Sequence, residues 1–161
     1  MVEVQIKVEA DKALARFSPA GIPEQVRKNL RTVIPDITRQ LMKRVDDNLG
    51  KLKSRSRLQT QGKMIESATQ LTGTVAVEWT GDDSGKIVPQ VLESGAKPHV
   101  IDARNARALS FIWPVLGGRV FFRRVNHPGF PGIHYMQDAF DSMRAEIVSE
   151  LTDAIQKGAN E

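Results

Sequence analysis

The sequence VRKNLRTVIPDITRQLMKRVDDNL, residues 26–49, does most to decide the fold. Its apolar residues return every three or four positions, which places them along one side of an α-helix. Pro35 lies inside this pattern without a backbone N–H to donate, so we expect a kink or a break near Ile34. The apolar stripe continues to residue 52 and consists of Val26, Leu30, Val33, Ile34, Ile37, Leu41, Val45, Leu49 and Leu52.

A second helical pattern lies near the C-terminus, where Gly158 is placed to end it. The spacing of its apolar residues again matches one face of a helix. Its stripe is formed by Met136, Phe140, Met143, Ile147, Leu151 and Ile155.

Elsewhere the apolar residues alternate with polar ones, which is typical of β-strands. Residues 2–8, 75–79 and 87–92 are predicted strands, and residues 108–125 are a predicted hairpin that turns at Gly117-Gly118. Pro89 and Pro114 favour edge strands, because proline cannot donate to a ladder.

The segments between these elements are less regular. Residues 51–62 are polar and are predicted to form a loop or an arm, and residues 64–71 a short helix that Gly73 ends. The expected fold is a single α+β domain spanning residues 1–161. An antiparallel sheet of about four to five strands would carry a long N-terminal helix and a C-terminal helix packed on it.

The composition excludes several classes of protein. The chain has 161 residues, of which 40% are hydrophobic and 26% charged, and it contains no cysteine. We therefore expect no disulfide, thiol nucleophile or cysteine-bound zinc. No apolar run approaches the roughly 20 residues of a membrane span. Residues 1–8 also lack the apolar core of a signal peptide, so we expect a protein made and kept in the cytoplasm, with no membrane partner.

The net charge of +4 is mild, but one basic segment is distinctive. Lys51, Lys53, Arg55 and Arg57 occupy alternate positions. In an extended chain all four would project to one side, an arrangement suited to phosphate contacts. The commoner interpretation of such a run of charge, which we favour, is a flexible, solvated loop. A second basic cluster on the predicted hairpin consists of Arg119, Arg123 and Arg124, beside Phe121 and Phe122, which we interpret as core or interface residues.

The candidate catalytic and metal-binding residues do not form a recognised motif. His99 and His127 adjoin prolines in predicted turns, and neither has the spacing of helical metal ligands. Ser94 and Ser110 lack the base and the elbow that a nucleophile needs. We therefore expect no catalytic residue, metal or cofactor. A metal-dependent hydrolase that uses His99, Asp102 and His127 is the weakest alternative.

Four pieces of the sequence occur in an order that is known from one family. They are ESGAKPHVI at 93–101, ARALSF at 106–111, VFFRRVNHPG at 120–129 and YMQDAF at 135–140. Together they resemble the neck, or head–tail joining, proteins of long-tailed bacteriophages and prophages, also described as minor tail or tail-completion proteins. Ala96 stands where that family usually has threonine, and Tyr135-Met136 where it usually has Phe-Leu.

The resemblance implies a structural virion protein rather than an enzyme. Such a protein would assemble in the host cytoplasm into an oligomeric ring at the head–tail junction, around the DNA channel. Its partners would be further copies of itself, connector, tail-terminator or tail-tube proteins, and nonspecifically the double-stranded DNA that passes through. On this interpretation Lys51, Lys53, Arg55 and Arg57 are candidate channel contacts. The alternative function is a small nucleic-acid-binding module that uses this basic arm. The candidate subunit-interface or family-motif residues are Glu93, Gly95, Pro98, His99, Ile101, Leu109, Phe111, His127, Pro128 and Gly129.

Overall fold

The structure is a computed structural model that describes residues 2–9, 22–50, 52, 55–67, 70–81, 85, 87–104, 106–113, 115 and 117–160. It confirms the α+β class, with two long helices and antiparallel strands. The helices are α1 (Glu24–Leu49), α2 (Val88–Ser94) and α3 (Tyr135–Asn160), with a 3₁₀ turn at Arg55–Arg57. The strands are β1 (Val2–Glu9), β2 (Leu58–Glu66), β3 (Gln70–Trp79), β4 (Gly95–Ala96), β5 (His99–Asp102), β6 (Leu109–Trp113), β7 (Gly118–Phe122), β8 (Arg124–His127) and β9 (Phe130–Pro131).

The chain divides into two compact units. The first, here called the body, comprises Met1–Glu93 and His134–Glu161; the second, here called the ribbon, comprises Ser94–Ile133. The body contains both long helices and the sheet of β1, β2 and β3. The ribbon contains β4 to β9.

Helices α1 and α3 pack side by side in antiparallel directions. The side-chain amide of Asn29 donates to the carbonyl of Ala154 at 3.3 Å, and that of Asn48 donates to the carbonyl of Tyr135 at 2.9 Å. Gly158 lies inside α3, so the expectation that it ends the helix is wrong. A Cβ atom there would lie 2.5 Å from the Cα atom of Val26, so the two helices can approach this closely at Gly158 only because it is a glycine.

Helix α1 runs without interruption through Pro35, so of the predicted kink or break near Ile34 the break does not occur. A proline inside a helix costs about 3 kcal/mol, because it removes one hydrogen bond and crowds the preceding turn. Burial of the stripe on both sides of Pro35 offsets that cost, since most helical stability comes from packing. The predicted stripe positions that are fully or almost fully buried are Val26, Leu30, Ile34, Ile37, Leu41, Val45 and Leu49.

The three-stranded sheet has the order β1-β3-β2 and is antiparallel throughout. Central strand β3 places Leu71, Val75 and Val77 at alternate positions, and all three are fully buried. Val75 and Val77 join the cluster of α1 and α3 residues that forms the main core. The sheet therefore lies against the helix pair, although it has three strands rather than the four or five expected.

Two further local expectations in the body are wrong. Residues 58–62 belong to β2 rather than to an arm, and in the segment predicted as a helix, residues 64–66 end β2 and residues 70–71 begin β3. Strand β2 has a polar sequence because its side chains past Thr60 are exposed. Gly62 allows β2 to lie close to Met42 of α1, because a Cβ atom at this position would collide with the sulfur of Met42.

The segment predicted as strand 87–92 is helix α2 instead. Pro89 is its second residue and is buried, at a position where a helix needs no N–H donor. The edge-strand interpretation of Pro89 is therefore wrong, and Pro114 lies outside the described residues.

Candidate functional site

The ribbon is a succession of two-stranded antiparallel ladders between the same two chain segments. Gly95 pairs with Pro131 in β4–β9, and the pairing continues in register to Asp102 and Arg124 in β5–β8. Six residues then separate Asp102 from Leu109 on the first segment, whereas one residue separates Arg124 from its next paired residue, Phe122, on the second. Between these two ladders the first segment therefore has five more residues than the second. Residues 103–108 and Arg123, which lie between the ladders, are here called the bulge.

One face of the ribbon is apolar and aromatic. The rings of Phe111, Trp113 and Phe122 lie with their centroids 5.9 to 6.1 Å apart, each ring in contact with both others. They form a cluster, here called the aromatic cluster, although each side chain is 36% to 39% exposed. Beside it lies a cleft of about 330 Å³, lined by Ile101, Leu109, Ser110, Phe111, Val125 and His127.

The base of the ribbon is shaped by two glycines from the motifs. Gly95 and Gly129 have φ angles of +79° and +77°, in the region that favours glycine. A Cβ atom on Gly95 would lie 2.5 Å from the carbonyl oxygen of Phe130, and one on Gly129 would collide with that of Ala96. Close approach of the two segments therefore requires glycine at both positions, and the adjacent Pro98 and Pro128 lie in the short gap between ladders.

Two of the three histidines are neighbours across the ribbon. His99 pairs with His127 in register, and their rings stack with centroids 5.0 Å apart. The Nδ1 atom of His99 lies 2.8 Å from the carbonyl of Lys97, to which it can donate, while that of His127 accepts from the N–H of Gly129 at 3.0 Å. Backbone groups thus orient both rings.

The proposed third ligand, Asp102, is not brought to the histidines. It lies three residues along β5 from His99, about 10 Å in a strand, and pairs with Arg124 instead. Among the described residues no group of three or more His, Cys, Asp or Glu side chains is arranged to hold a metal ion. The hydrolase alternative therefore lacks its ligand set.

Glu93 lies in the body and has a structural role there. Its carboxylate accepts hydrogen bonds from the backbone N–H groups of Met136 and Gln137, at 2.9 and 3.0 Å. Its carbonyl accepts from the N–H of His134, which has a φ of +49°. The first turn of α3 is therefore capped by a carboxylate, which also suits the positive end of the helix dipole.

Tyr135, also from the last motif, is buried at the start of α3. Its hydroxyl donates to the carbonyl of Pro89 at 3.1 Å. Burial raises the pKa of this hydroxyl, and the nearby Glu93 carboxylate adds to the effect. The residue therefore remains a neutral donor that joins α2 to α3.

The basic segment is not an extended arm where it is described. Residues 55–57 form a 3₁₀ turn rather than an extended chain. The guanidinium of Arg57 lies 5.6 Å from the ring centre of Trp79. The predicted extended backbone is therefore wrong for residues 55–57, and Lys51 and Lys53 lie outside the described residues.

Sequence reasoning missed the aromatic cluster. The signal was present, because Leu109, Phe111 and Trp113 alternate with Ser110 and Ile112, as β-strand residues on one face do. Phe121 and Phe122 were interpreted as core or interface residues. Exposures of 65% and 39% exclude the core for both of them.

Comparisons with known proteins do not assign the chain to a family. No family model matches it, and no curated protein or solved structure matches it significantly. The likeness to neck proteins therefore depends on the four sequence pieces, now placed on the ribbon and at the start of α3. In the described part of the chain no helix is both long enough and apolar enough to span a membrane.

Proposed function

We propose that this chain is a structural protein of a bacteriophage or prophage head–tail junction, where it assembles as a ring around the DNA channel. The observation that carries the proposal is the uncovered aromatic face of the ribbon. The ordered motifs support the same conclusion, because three of the four form the ribbon and the fourth begins the helix that Glu93 caps.

A two-stranded ribbon with uncovered aromatic side chains is expected to have little stability on its own. Isolated hairpins are marginally stable in water, and contiguous apolar patches on monomers are typical of interaction sites. Phe111, Trp113 and Phe122 would each gain stabilisation from burial against a partner, at about 25 cal/mol per Å². An assembly in which a neighbouring subunit covers this face accounts for both properties.

A ring requires contacts between unlike surfaces that close around an axis. The ribbon and the body are different surfaces of one chain, so the ribbon of one copy docking on the body of the next would generate such a contact. The titratable groups of the motifs are consistent with a structural role. Glu93 caps a helix, and His99 and His127 are held by backbone groups.

Replacing Trp113 tests the proposal in the particle. Trp113→Ser should reduce incorporation of the protein into purified particles at least tenfold, whereas Trp113→Leu, which keeps an apolar side chain, should retain most of it. Val148→Ser is the matched control, because Val148 is an exposed apolar residue of α3 outside the ribbon. Full incorporation of Trp113→Ser would contradict the proposal.

A further inference from the structure

The ribbon carries an unusual share of the positive charge. Its 40 residues include six lysines and arginines and a single acidic residue, Asp102, which gives a net charge of +5. The rest of the chain has 17 basic and 18 acidic residues, a net charge of −1. The net charge of +4 for the whole chain is therefore concentrated in the ribbon, which is strongly basic.

Four of the five arginines of the ribbon lie in the bulge or directly beside it. Arg124 binds the Asp102 carboxylate through two nitrogens, at 2.7 and 3.4 Å. This hydrogen bonding is the main reason why the pKa of Asp102 is lowered, and the charges of Arg124, Arg104 and Arg123 lower it further. One carboxylate is therefore paired with Arg124 and feels the charges of two further arginines, so an excess of positive charge remains at this point.

Three arginines near this point are available to a ligand. Arg104, Arg107 and Arg123 are exposed, and within the described residues no hydrogen bond or ion pair engages their side chains. One backbone hydrogen bond joins the two sides of the bulge, because the N–H of Ala103 donates to the carbonyl of Arg123 at 3.0 Å. The bulge thus carries three exposed arginines that bind no carboxylate among the described residues.

We propose that the bulge binds the phosphate backbone of double-stranded DNA, without sequence preference, through Arg104, Arg107 and Arg123. This deepens the proposed function and rests on it for the identity of the nucleic acid. The planar guanidinium group matches phosphate oxygens in geometry, and its charge persists at any physiological pH.

A second copy of the chain is a weaker electrostatic match for the bulge. The body of a neighbouring copy has nearly balanced charges, with a net charge of −1. Duplex DNA presents one negative charge per about 1.7 Å of its axis. The aromatic cluster also lies on the β6–β7 ladder, apart from the Asp102–Arg124 pair on β5–β8, so protein and DNA contacts can use different parts of the ribbon.

Fluorescence anisotropy with the full chain and a labelled random duplex of about 30 bp tests the proposal. At low salt the wild type should bind, and log K should fall linearly with log salt concentration. The variant Arg104→Gln/Arg107→Gln/Arg123→Gln should bind at least tenfold more weakly, with a salt slope smaller by about 2 to 3, since each lost phosphate contact removes about 0.9. The matched control is Lys28→Gln/Lys43→Gln/Arg44→Gln, which removes the same charge from exposed positions of α1 and should bind within about twofold of wild type.

Equal loss in the two triple variants would show that only net charge matters and would overturn the proposal. Absence of binding by the wild type would do the same, as would unchanged binding by the ribbon variant. If sedimentation shows that the ribbon variant alters self-association while DNA binding is retained, the arginines serve a protein contact and the proposal is wrong. DNA binding by a chain that is absent from particles would instead refute the proposed function alone. Circular dichroism establishes that both variants are folded.

Discussion

The carboxylate of Glu93 accepts a 2.9 Å hydrogen bond from the backbone N–H of Met136, 43 residues further along the chain. The first and last sequence pieces that resemble neck proteins therefore meet in one capping interaction. The ribbon lies between them in sequence, so the cap holds together the two body segments from which the ribbon departs and to which it returns.

Loss of this cap should destabilise the body. Glu93→Ala removes the acceptor for two N–H groups at the start of α3, and we expect a loss of about 1 to 2 kcal/mol in the free energy of unfolding. Glu93→Gln, which keeps one acceptor oxygen but loses the charge, should cost about half as much. Urea denaturation measures both values. Glu146→Ala, an exposed change in the middle of the same helix, should stay within about 0.5 kcal/mol of wild type, and an equal loss there would contradict the capping role.

Glu66 should make stability depend on pH in the acid range. Its carboxylate binds Arg31 and the buried Arg27, and these hydrogen bonds lower its pKa, that from Arg31 most. A lowered pKa in the folded state stabilises the protein fully above the unfolded-state pKa, and this stabilisation is lost as pH falls through the folded-state value. Glu66→Gln should therefore lower the melting temperature at pH 7, and this difference should shrink as the pH falls through the acid range. A difference that stays constant over this range, or grows on acidification, would show that charge pairing is not its cause.

Substituting two glycines of the ribbon can distinguish the cost of steric crowding from the cost of an unfavourable backbone conformation. Gly129 and Gly117 both have positive φ, but a Cβ atom on Gly129 would strike the backbone of Ala96, whereas one on Gly117 would meet nothing within 4 Å. Gly117→Ala should cost about 1 kcal/mol, the price of the left-handed conformation alone. Gly129→Ala should cost distinctly more and should raise hydrogen exchange across residues 95–131 while leaving α1 protected. Equal effects of the two changes would mean that the ribbon base is not closely packed.

The stacked histidines are expected to have a structural role. Addition of zinc should leave the melting temperature unchanged, because a ligand that binds the folded state raises it. His127→Ala should weaken the ribbon base through loss of the acceptor for Gly129, and Asp102→Asn should not change metal content. Stoichiometric zinc, retained by wild type and lost in His99→Ala and His127→Ala while the fold survives, would restore the hydrolase alternative.

Helix patterns were the most predictable part of the fold. The stripes of α1 and α3 are long enough for periodicity to identify them, and the residues that they predict form the core. The break expected at Pro35 and the stop expected at Gly158 are absent because packing outweighs local propensity at both positions. Strand β2 was not predicted because its side chains are mostly exposed, so apolar and polar residues do not alternate along it. Helix α2 was not predicted because Pro89, in its first turn, was interpreted as a sign of an edge strand.

The candidate site was predictable in part. The sequence singled out Gly95, Pro98, His99, His127 and Gly129 as motif residues but did not predict that they would lie together at the ribbon base. Arg104 and Arg123 come near Asp102 because the β5–β8 and β6–β7 ladders are offset from each other. No local sequence pattern predicts that offset. The net charge of the whole chain also gave no sign of the basic ribbon, because the negative charge of the body offsets part of the positive charge of the ribbon.

Cryo-electron microscopy of particles purified from the bacteriophage or prophage that encodes this chain would examine the neck-protein proposal itself. We expect a closed ring of this chain at the head–tail junction, with Phe111, Trp113 and Phe122 of each copy covered by a neighbouring subunit. A particle whose junction lacks this chain, or a ring in which the aromatic cluster remains exposed to solvent, would contradict it.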